Sequence, residues 1–532
     1  MFRRTLAWLE DRTGIESAFK HFLYEDIPAS SGWHQVFGSV ALFAFLVQVA
    51  TGILLALNYA PTPPEAYDSL RYIMTQVTAG RFMRALHHWG ASLMIIVVVV
   101  HMIQAFLWGT YKKPREATWI AGVALLLLTL AYGLSGYLLP WDNRAYWGTV
   151  VTTQISALAP GAGPLLVHLL GSDGTSIGAI TFTRFYVAHV QILPPLTVLL
   201  IAIHLFLVRR HGVAPAPADE LQPKKKFYPE QVAKDTIAIF AWFAVLMGMA
   251  LMARVPLGHL ADPTDLSYIP RPEWYFLFLF QFLKWFEGPL EVVGAVILPT
   301  LAIVALLLIP FIDRGKMKLV RQRMGAIGLV VLAAIFWGGL TARAVATTPE
   351  TREMDMSLVQ PWQEISAGNL ASIGLFRKAQ CGSCHELGKP GAGPDLTIAP
   401  SSRPVDWLAE HIKSNPKAAP GVLTDPQVQM LVTFVTKRSD KAVDAWQNAP
   451  QTAVDGALIY QANDCTSCHK LNGIGDELGP PLNGVGERRE RSWLEGHFAD
   501  PPKYSPDSIM PAFHFKPDEL KLITDYIAAI PK

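Results

Sequence analysis

Cysteine and charge are what this chain of 532 residues has least of: four cysteines in all, and 17% charged residues where soluble domains carry roughly 25%. The four cysteines sit in two short motifs, so none is left over for a zinc site or an iron–sulfur cluster. The net charge is +2, and no basic patch is interleaved with aromatics, so nothing points to a nucleic-acid partner. The N-terminal stretch Met1-Phe-Arg-Arg-Thr-Leu-Ala-Trp-Leu-Glu10 lacks the apolar core and small-residue cleavage site of a signal peptide. Leu6, Leu9, Ile15, Phe19, Phe22 and Leu23 suggest instead a helix lying along a membrane surface.

What is present is more telling. The cysteine motifs are Cys381-Gly-Ser-Cys384-His385 and Cys465-Thr-Ser-Cys468-His469. C-x-x-C-H is the attachment site of c-type haem: two thiols join the macrocycle and the adjacent histidine is the proximal iron ligand. Two such motifs predict two covalently bound haems c and a chain that moves electrons. The length exceeds one domain. Hydrophobic residues make up 51% of the chain, and the apolar excess lies before residue 345, so a membrane half precedes a soluble half.

Seven apolar runs are long enough to cross a bilayer, at 37–58, 85–108, 117–139, 185–208, 236–256, 292–312 and 325–343. Residues 274–286 are apolar but short and aromatic, as in a surface helix or a pocket wall. Basic residues cluster before the first run (Arg3, Arg4, Arg12, Lys20) and in alternate loops thereafter. These loops carry Lys112, Lys113 and Arg115, then Arg209, Arg210, Lys224, Lys225 and Lys226, then Arg314, Lys316, Lys318, Arg321 and Arg323. The positive-inside rule makes that side cytoplasmic. Seven spans then carry the C-terminus outside, the face on which bacteria attach haem c.

Four histidines lie inside apolar spans, where an ionisable group is a functional candidate by default. His87 and His101 are 14 residues apart, and His189 and His204 are 15 apart. Such gaps place side chains within about 40° and 60° around a helix and about 21–22 Å apart along it. Across two helices they make two stacked ligand pairs, His87 with His189 near the outer face and His101 with His204 near the inner. Two bis-imidazole haems b fit those positions. Pro194 and Pro195 are expected to distort the longer interval. Gly38 and Gly52, and Gly122 and Gly136, repeat the 14-residue interval, and a flat macrocycle between helices needs bare backbone beside it. His88 faces away from His87 and suits a propionate or headgroup contact.

These residues resemble the cytochrome b of quinol-oxidising cytochrome bc and bf complexes. Residues 30–213 are similar to the four-helix, chloroplast-type cytochrome b through Leu46-Val-Gln-Val-Ala-Thr-Gly52, Lys112-Lys-Pro-Arg-Glu116, Gly136-Tyr-Leu-Leu-Pro-Trp-Asp142 and Thr183-Arg-Phe-Tyr186. Residues 255–314 resemble that group's separate subunit IV, centred on Pro272-Glu273-Trp274-Tyr275. The resemblance implies an outer quinol-oxidation site at those four residues and at Tyr146-Trp147-Gly148. Quinol oxidation releases protons, and Glu273 is the candidate acceptor; the same residues also read as a helix start. The chloroplast-type extra haem needs a cysteine where this chain has Val36, so that haem is expected to be absent. Inner quinone contacts are expected near Arg209 and His211.

After a linker at 346–365, residues 366–442 and 443–532 look like tandem class I cytochrome c domains. Gly393-Pro-Asp-Leu396 and Trp407-Leu…His411 in the first parallel Gly479-Pro-Pro-Leu482 and Trp493-Leu…His497 in the second. Met510-Pro511 sits where that family places its sulfur ligand, so the resemblance implies His469 and Met510 as the second haem's axial pair. In the first domain Ala418 falls where a methionine belongs, so the distal ligand to His385 is open: Met430, His411 or none.

The expected architecture is all-α: a cytochrome b bundle (1–215), a three-helix subunit IV-like part (216–345), and two small helical haem c domains. The expected function is the membrane core of a quinol:cytochrome c-type oxidoreductase in a bacterial inner membrane, with proton translocation. Quinol electrons would divide between the two b haems and the periplasmic c haems. Expected partners are membrane quinol and quinone, a separate Rieske iron–sulfur protein, a soluble acceptor such as a periplasmic cytochrome c, and a second copy of the chain. The rival is a haem-relay membrane anchor for a periplasmic reductase or dehydrogenase, without division of electrons. A transporter is disfavoured, since the intramembrane histidines are already taken.

Overall fold

The computed structural model describes residues 2–532 except 216–222, 265–267, 316–318, 349–355, 357–358, 386–390, 398–400, 415–421 and 439. Lys316, Lys318 and Ala418 thus lie outside the described residues. Two compact units make up the chain, Met1–Thr351 and Arg352–Lys532.

The first unit has seven helices long and apolar enough to cross a membrane. They are Trp33–Ala56, Gly80–Leu107, Glu116–Tyr137, Ala179–His211, Glu230–Met252, Gly288–Ile312 and Met324–Thr347, called here the first to seventh membrane helices. The expected seven-span, all-α architecture holds. Among the described residues the only strands are a two-residue pair, Asp26–Ile27 with Lys225–Lys226. That pair joins the segment before the first helix to the loop after the fourth, gathering two of the basic segments at one end. A lone apolar stretch, Trp274–Leu283, is a short helix.

The first, second and fifth helices share a core of Val40, Ala44, Leu86, Met94 and Leu246. The third meets the sixth through Trp119, whose indole N–H donates to the Leu306 carbonyl at 2.7 Å. Outward residues such as Leu57, Phe240 and Ile312 stay exposed, as expected of side chains that face lipid. At the basic end, Asp313 accepts from the Tyr111 hydroxyl at 2.6 Å and from Lys112 Nζ at 2.8 Å, and it pairs with Arg323 at 2.5 Å. Lys112 and Arg323 are buried, so this cluster ties the loop after the second helix to both ends of the sixth-to-seventh connection.

The fourth membrane helix is not a regular α-helix. Residues Ala188–Ile192 form a π turn, closed by the Leu193 N–H on the Ala188 carbonyl. Pro194 and Pro195 follow and offer no N–H. A π turn adds one residue to the helical repeat. It therefore absorbs the difference between the 15-residue His189–His204 gap and the 14-residue His87–His101 gap.

The second unit is two similar halves on one continuous core. Helices Ala367–Lys378 and Gln451–Ala462 each run into a cysteine motif, and Asp425–Lys437 and Pro517–Ala529 close the halves. The two leading helices cross where Gly374 leaves space for Val454 and Leu458. Trp446 stacks edge-on against Phe376 and Phe434 at 4.6 and 5.0 Å, so the stretch after residue 442 packs on the first half. Trp362 and Ile365 are buried in the same core.

Candidate functional site: two histidine pairs, an acidic apolar cavity and two haem-attachment motifs

The membrane histidines come in pairs on the second and fourth helices, each backed by a glycine. The His87 and His189 rings face each other with centroids 6.3 Å apart and planes at 72°. Two imidazole nitrogens on opposite sides of one metal at about 2 Å each would leave ring centroids about 6 Å apart, so this pair fits an axially ligated haem. A Cβ on Gly52 would stand 3.2 Å from His87 Cε1, and one on Gly136 only 2.7 Å from His189 Cε1. Gly38 faces His101 and Gly122 faces His204, each at 3.4 Å. The glycine spacing thus serves the histidine rings themselves. Tyr132 packs edge-on against His189 at 5.5 Å.

One turn along the third helix from Gly136 an apolar cavity of about 220 Å³ opens, lined by Gly133, Tyr137, Gly148, Pro272, Glu273 and Tyr275 among others. Cavities of about 150 Å³ already hold a benzene ring, so a substituted single ring fits. We therefore call His87 and His189 the cavity-side pair and His101 and His204 the basic-side pair. Asp142 caps helix Asn143–Ala157, accepting from Ala145 N–H at 2.9 Å, and its second oxygen accepts from Gly258 N–H at 3.2 Å. The Trp141-Asp142 turn is thereby clamped to the chain leading into Pro272. Tyr275 fits because Gly133 has no side chain: a Cβ there would meet the phenol oxygen at 2.9 Å.

Glu273 is largely buried, and its carboxylate lies 3.3 Å from Arg144 Nη2. Arg144 also donates through Nε to the Arg271 carbonyl at 3.1 Å and lies over the Tyr137 ring. The sequence alone does not single out a role for Arg144 or Tyr137: Tyr137 lies inside the Gly136–Asp142 motif and Arg144 two residues beyond it, and neither carries a pattern of its own. Trp274 and Tyr146, expected at this site, are not among the cavity-lining residues. The Trp274 indole N–H donates to Ser92 Oγ at 3.2 Å, and Tyr146 is buried against Trp141 and Trp147. Neighbours on a turn point apart, which explains both. At the opposite end Arg209 pairs with Glu25 at 2.7 Å, and the His211 carbonyl accepts from Arg115 at 2.9 Å.

The two C-x-x-C-H motifs are built alike. His385 N–H bonds back to the Cys381 carbonyl at 3.0 Å, and His469 N–H to that of Cys465 at 2.9 Å. The ring Nδ1 of His385 lies 2.9 Å from the Pro394 carbonyl, and that of His469 2.8 Å from the Pro480 carbonyl. Each contact fixes Nδ1 as the protonated nitrogen and leaves Nε2 free for a metal. Gly393 and Gly479 let the loop pass against each ring. His411, stacked on Trp407, lies with its ring 6.1 Å from that of His385 at 84°. Met430 sits on helix Asp425–Lys437 and packs against the hydrophobic core.

Known proteins place this arrangement. Residues 26–212 match the family model Cytochrome b/b6/petB, and residues 260–357 match Cytochrome b(C-terminal)/b6/petD. A cytochrome bc complex cytochrome b subunit of Chlorobaculum thiosulfatiphilum is 39% identical over 338 residues, which is 61% of this chain and 78% of that protein. The chain belongs to the cytochrome b family of cytochrome bc complexes. Cytochromes b6 of Gloeobacter violaceus and Cyanidium caldarium are 37% and 38% identical over 207 residues, 39% of this chain and 96% of theirs. A solved structure titled Hyperthermophilic respiratory Complex III superposes with a TM-score of 0.58 at 28% identity, covering 65% of this chain and 92% of that one. Beyond the cytochrome b portion, residues 453–531 match Cytochrome c, and residues 373–435 match Cytochrome C oxidase, cbb3-type, subunit III. This cytochrome b is therefore an integral membrane protein with haem b and haem c portions, a component of a bc-type complex with the quinol oxidoreductase activity that membership implies.

Proposed function

We propose that this cytochrome b oxidises quinol at the Glu273 cavity and divides the two electrons, with proton translocation. One electron would cross the bundle through two haems b, held by His87 with His189 and by His101 with His204, to reduce quinone at the basic end near Arg209 and His211. The other would leave through a separate Rieske protein to two haems c and then a soluble acceptor. The haems supply one-electron relay; the chain's own residues bind the ring, take its proton and keep water out. The observation that carries this reading is a buried carboxylate on an apolar, ring-sized cavity, one helical turn from a facing histidine pair.

Within that cavity, Glu273 is the group able to accept a proton from a quinol hydroxyl, and Arg144 holds it at the edge until it does. A relay anchor needs no such acceptor. Glu273→Gln keeps the shape and removes the proton-accepting charge, so quinol oxidation should fall by roughly 10²–10⁴-fold with both b haem spectra intact. Wild-type turnover in that variant would favour the relay reading. For the first haem c, the ring separation supports His385 with His411; for the second, the motif supports His469 with Met510. The family likeness supports a homodimer in a bacterial inner membrane, with the N-terminus cytoplasmic and the haem c halves outside.

A further inference from the structure

The two membrane histidine pairs share spacing and glycine support, but differ in what meets the back of each ring. His87 Nδ1 lies 2.9 Å from Thr51 Oγ1, and His189 Nδ1 lies 3.0 Å from Ser135 Oγ. Each hydroxyl spends its own hydrogen on its helix, Thr51 on the Val47 carbonyl and Ser135 on the Ala131 carbonyl, both at 2.8 Å. A hydroxyl has one hydrogen and two lone pairs. Toward histidine both oxygens therefore accept, and both rings carry their proton on Nδ1. The basic-side pair has no hydroxyl behind either ring: His101 Nδ1 is buried without a hydrogen-bond partner, and the support for His204 comes from the Thr118 backbone alone.

The sequence register explains the contrast. Thr51 and Ser135 immediately precede Gly52 and Gly136, the glycines that face the cavity-side rings; Phe37 and Ala121 precede Gly38 and Gly122. Each glycine opens a helix face, and the residue before it supplies a hydroxyl or lacks one. A ligating histidine whose Nδ1–H is accepted by oxygen is the more basic ligand. It stabilises the oxidised metal and lowers the potential, second-shell hydrogen bonding being one of the protein's levers on a haem.

We propose that Thr51 and Ser135 are positioning residues that hold the potential of the cavity-side haem b below that of the basic-side haem b, and so give electron flow across the bundle its downhill direction. The proposal rests on the four histidines being axial ligands. The chemistry concerned is the one-electron transfer that haems held by these histidines would supply, from the cavity-side pair to the basic-side pair, with no bond or proton changing hands.

The test is a redox titration of the intact chain in membranes, with the two b haems resolved by their α-bands and by electron paramagnetic resonance. In Thr51→Val with Ser135→Ala, the cavity-side midpoint should rise and the gap between haems narrow, while Thr51→Ser keeps the gap. Retention of both haems with an unmoved or lowered cavity-side midpoint overturns the proposal. Should the double variant lose that haem, Ala121→Ser decides: it offers the His204 ring the hydroxyl it lacks and should lower the basic-side midpoint, and an unmoved midpoint overturns the proposal. His87→Ala checks the ligands separately: loss of only the cavity-side signal supports them, and survival of both signals overturns the ligand assignment and the proposal with it.

Discussion

Replacing Gly136 by alanine puts a methyl group where the fold has left no room. The added Cβ would fall 2.7 Å from His189 Cε1 and 3.3 Å from its Nδ1, against the roughly 3.5–4.0 Å at which carbons settle. The ring must retreat by about 0.8 Å at least. It cannot do so freely: Nδ1 is tied to Ser135 on the same helix as the new methyl, and the backbone of His189 lies in the π turn. Overpacking of this kind costs about 1–3 kcal/mol, or about a fivefold to hundredfold loss of rings in ligating position. The other three glycines grade the effect. Gly52 is tight at 3.2 Å, whereas Gly38 and Gly122, at 3.4 Å, are close to ordinary contact. Haem b per purified chain, from reduced-minus-oxidised spectra, should therefore fall most in Gly136→Ala, less in Gly52→Ala and least in Gly38→Ala and Gly122→Ala. In the first, the loss should be confined to the cavity-side haem. A Gly136→Ala protein with its full complement and unchanged midpoints refutes the reasoning. Equal loss at all four positions would do the same, since the ring contacts are unequal.

Two further outcomes are expected. Asp313→Ala leaves two buried cations, Lys112 and Arg323, without their shared carboxylate. Breaking a buried pair costs about 3–5 kcal/mol, and the partial exposure of Asp313 argues for the low end, about 3 kcal/mol; thermal unfolding in detergent should show a clear drop, and an unshifted midpoint would contradict it. His411→Ala should convert one of the two c haems from low-spin to high-spin or carbon monoxide-binding, while His497→Ala and Met430→Ala leave both low-spin. A fully low-spin His411→Ala spectrum would return the first haem's distal ligand to the open set.

The parts of this account legible in the sequence are those written in local periodicity or fixed spacing. Seven apolar runs became seven helices, with ends displaced where polar residues such as Arg209 and Arg210 prolong a helix beyond its apolar run. The 14-residue glycine and histidine intervals could be read directly, but the remedy for the 15-residue interval could not. Pro194 and Pro195 signal a distortion, yet whether it becomes a kink or a π turn depends on which carbonyls find donors in three dimensions. Glu273 was legible as a motif; its partner Arg144 lies 129 residues away, and no local pattern links them. The family resemblance implies Trp274 and Tyr146 at the site together with their neighbours, and which of these consecutive side chains line the cavity depends on how they diverge in three dimensions. The packing of the two haem c halves through Gly374 is likewise a long-range fit that neither half announces alone.

The central claim is the division of quinol's two electrons, and the most direct measurement is a stopped-flow spectrum of native membranes. Quinol is supplied with the inner quinone site blocked, and an oxidant pulse follows. The account predicts that the b haems become more reduced while the c haems oxidise. If b and c haems oxidise together, the chain is a simple relay and the division is contradicted.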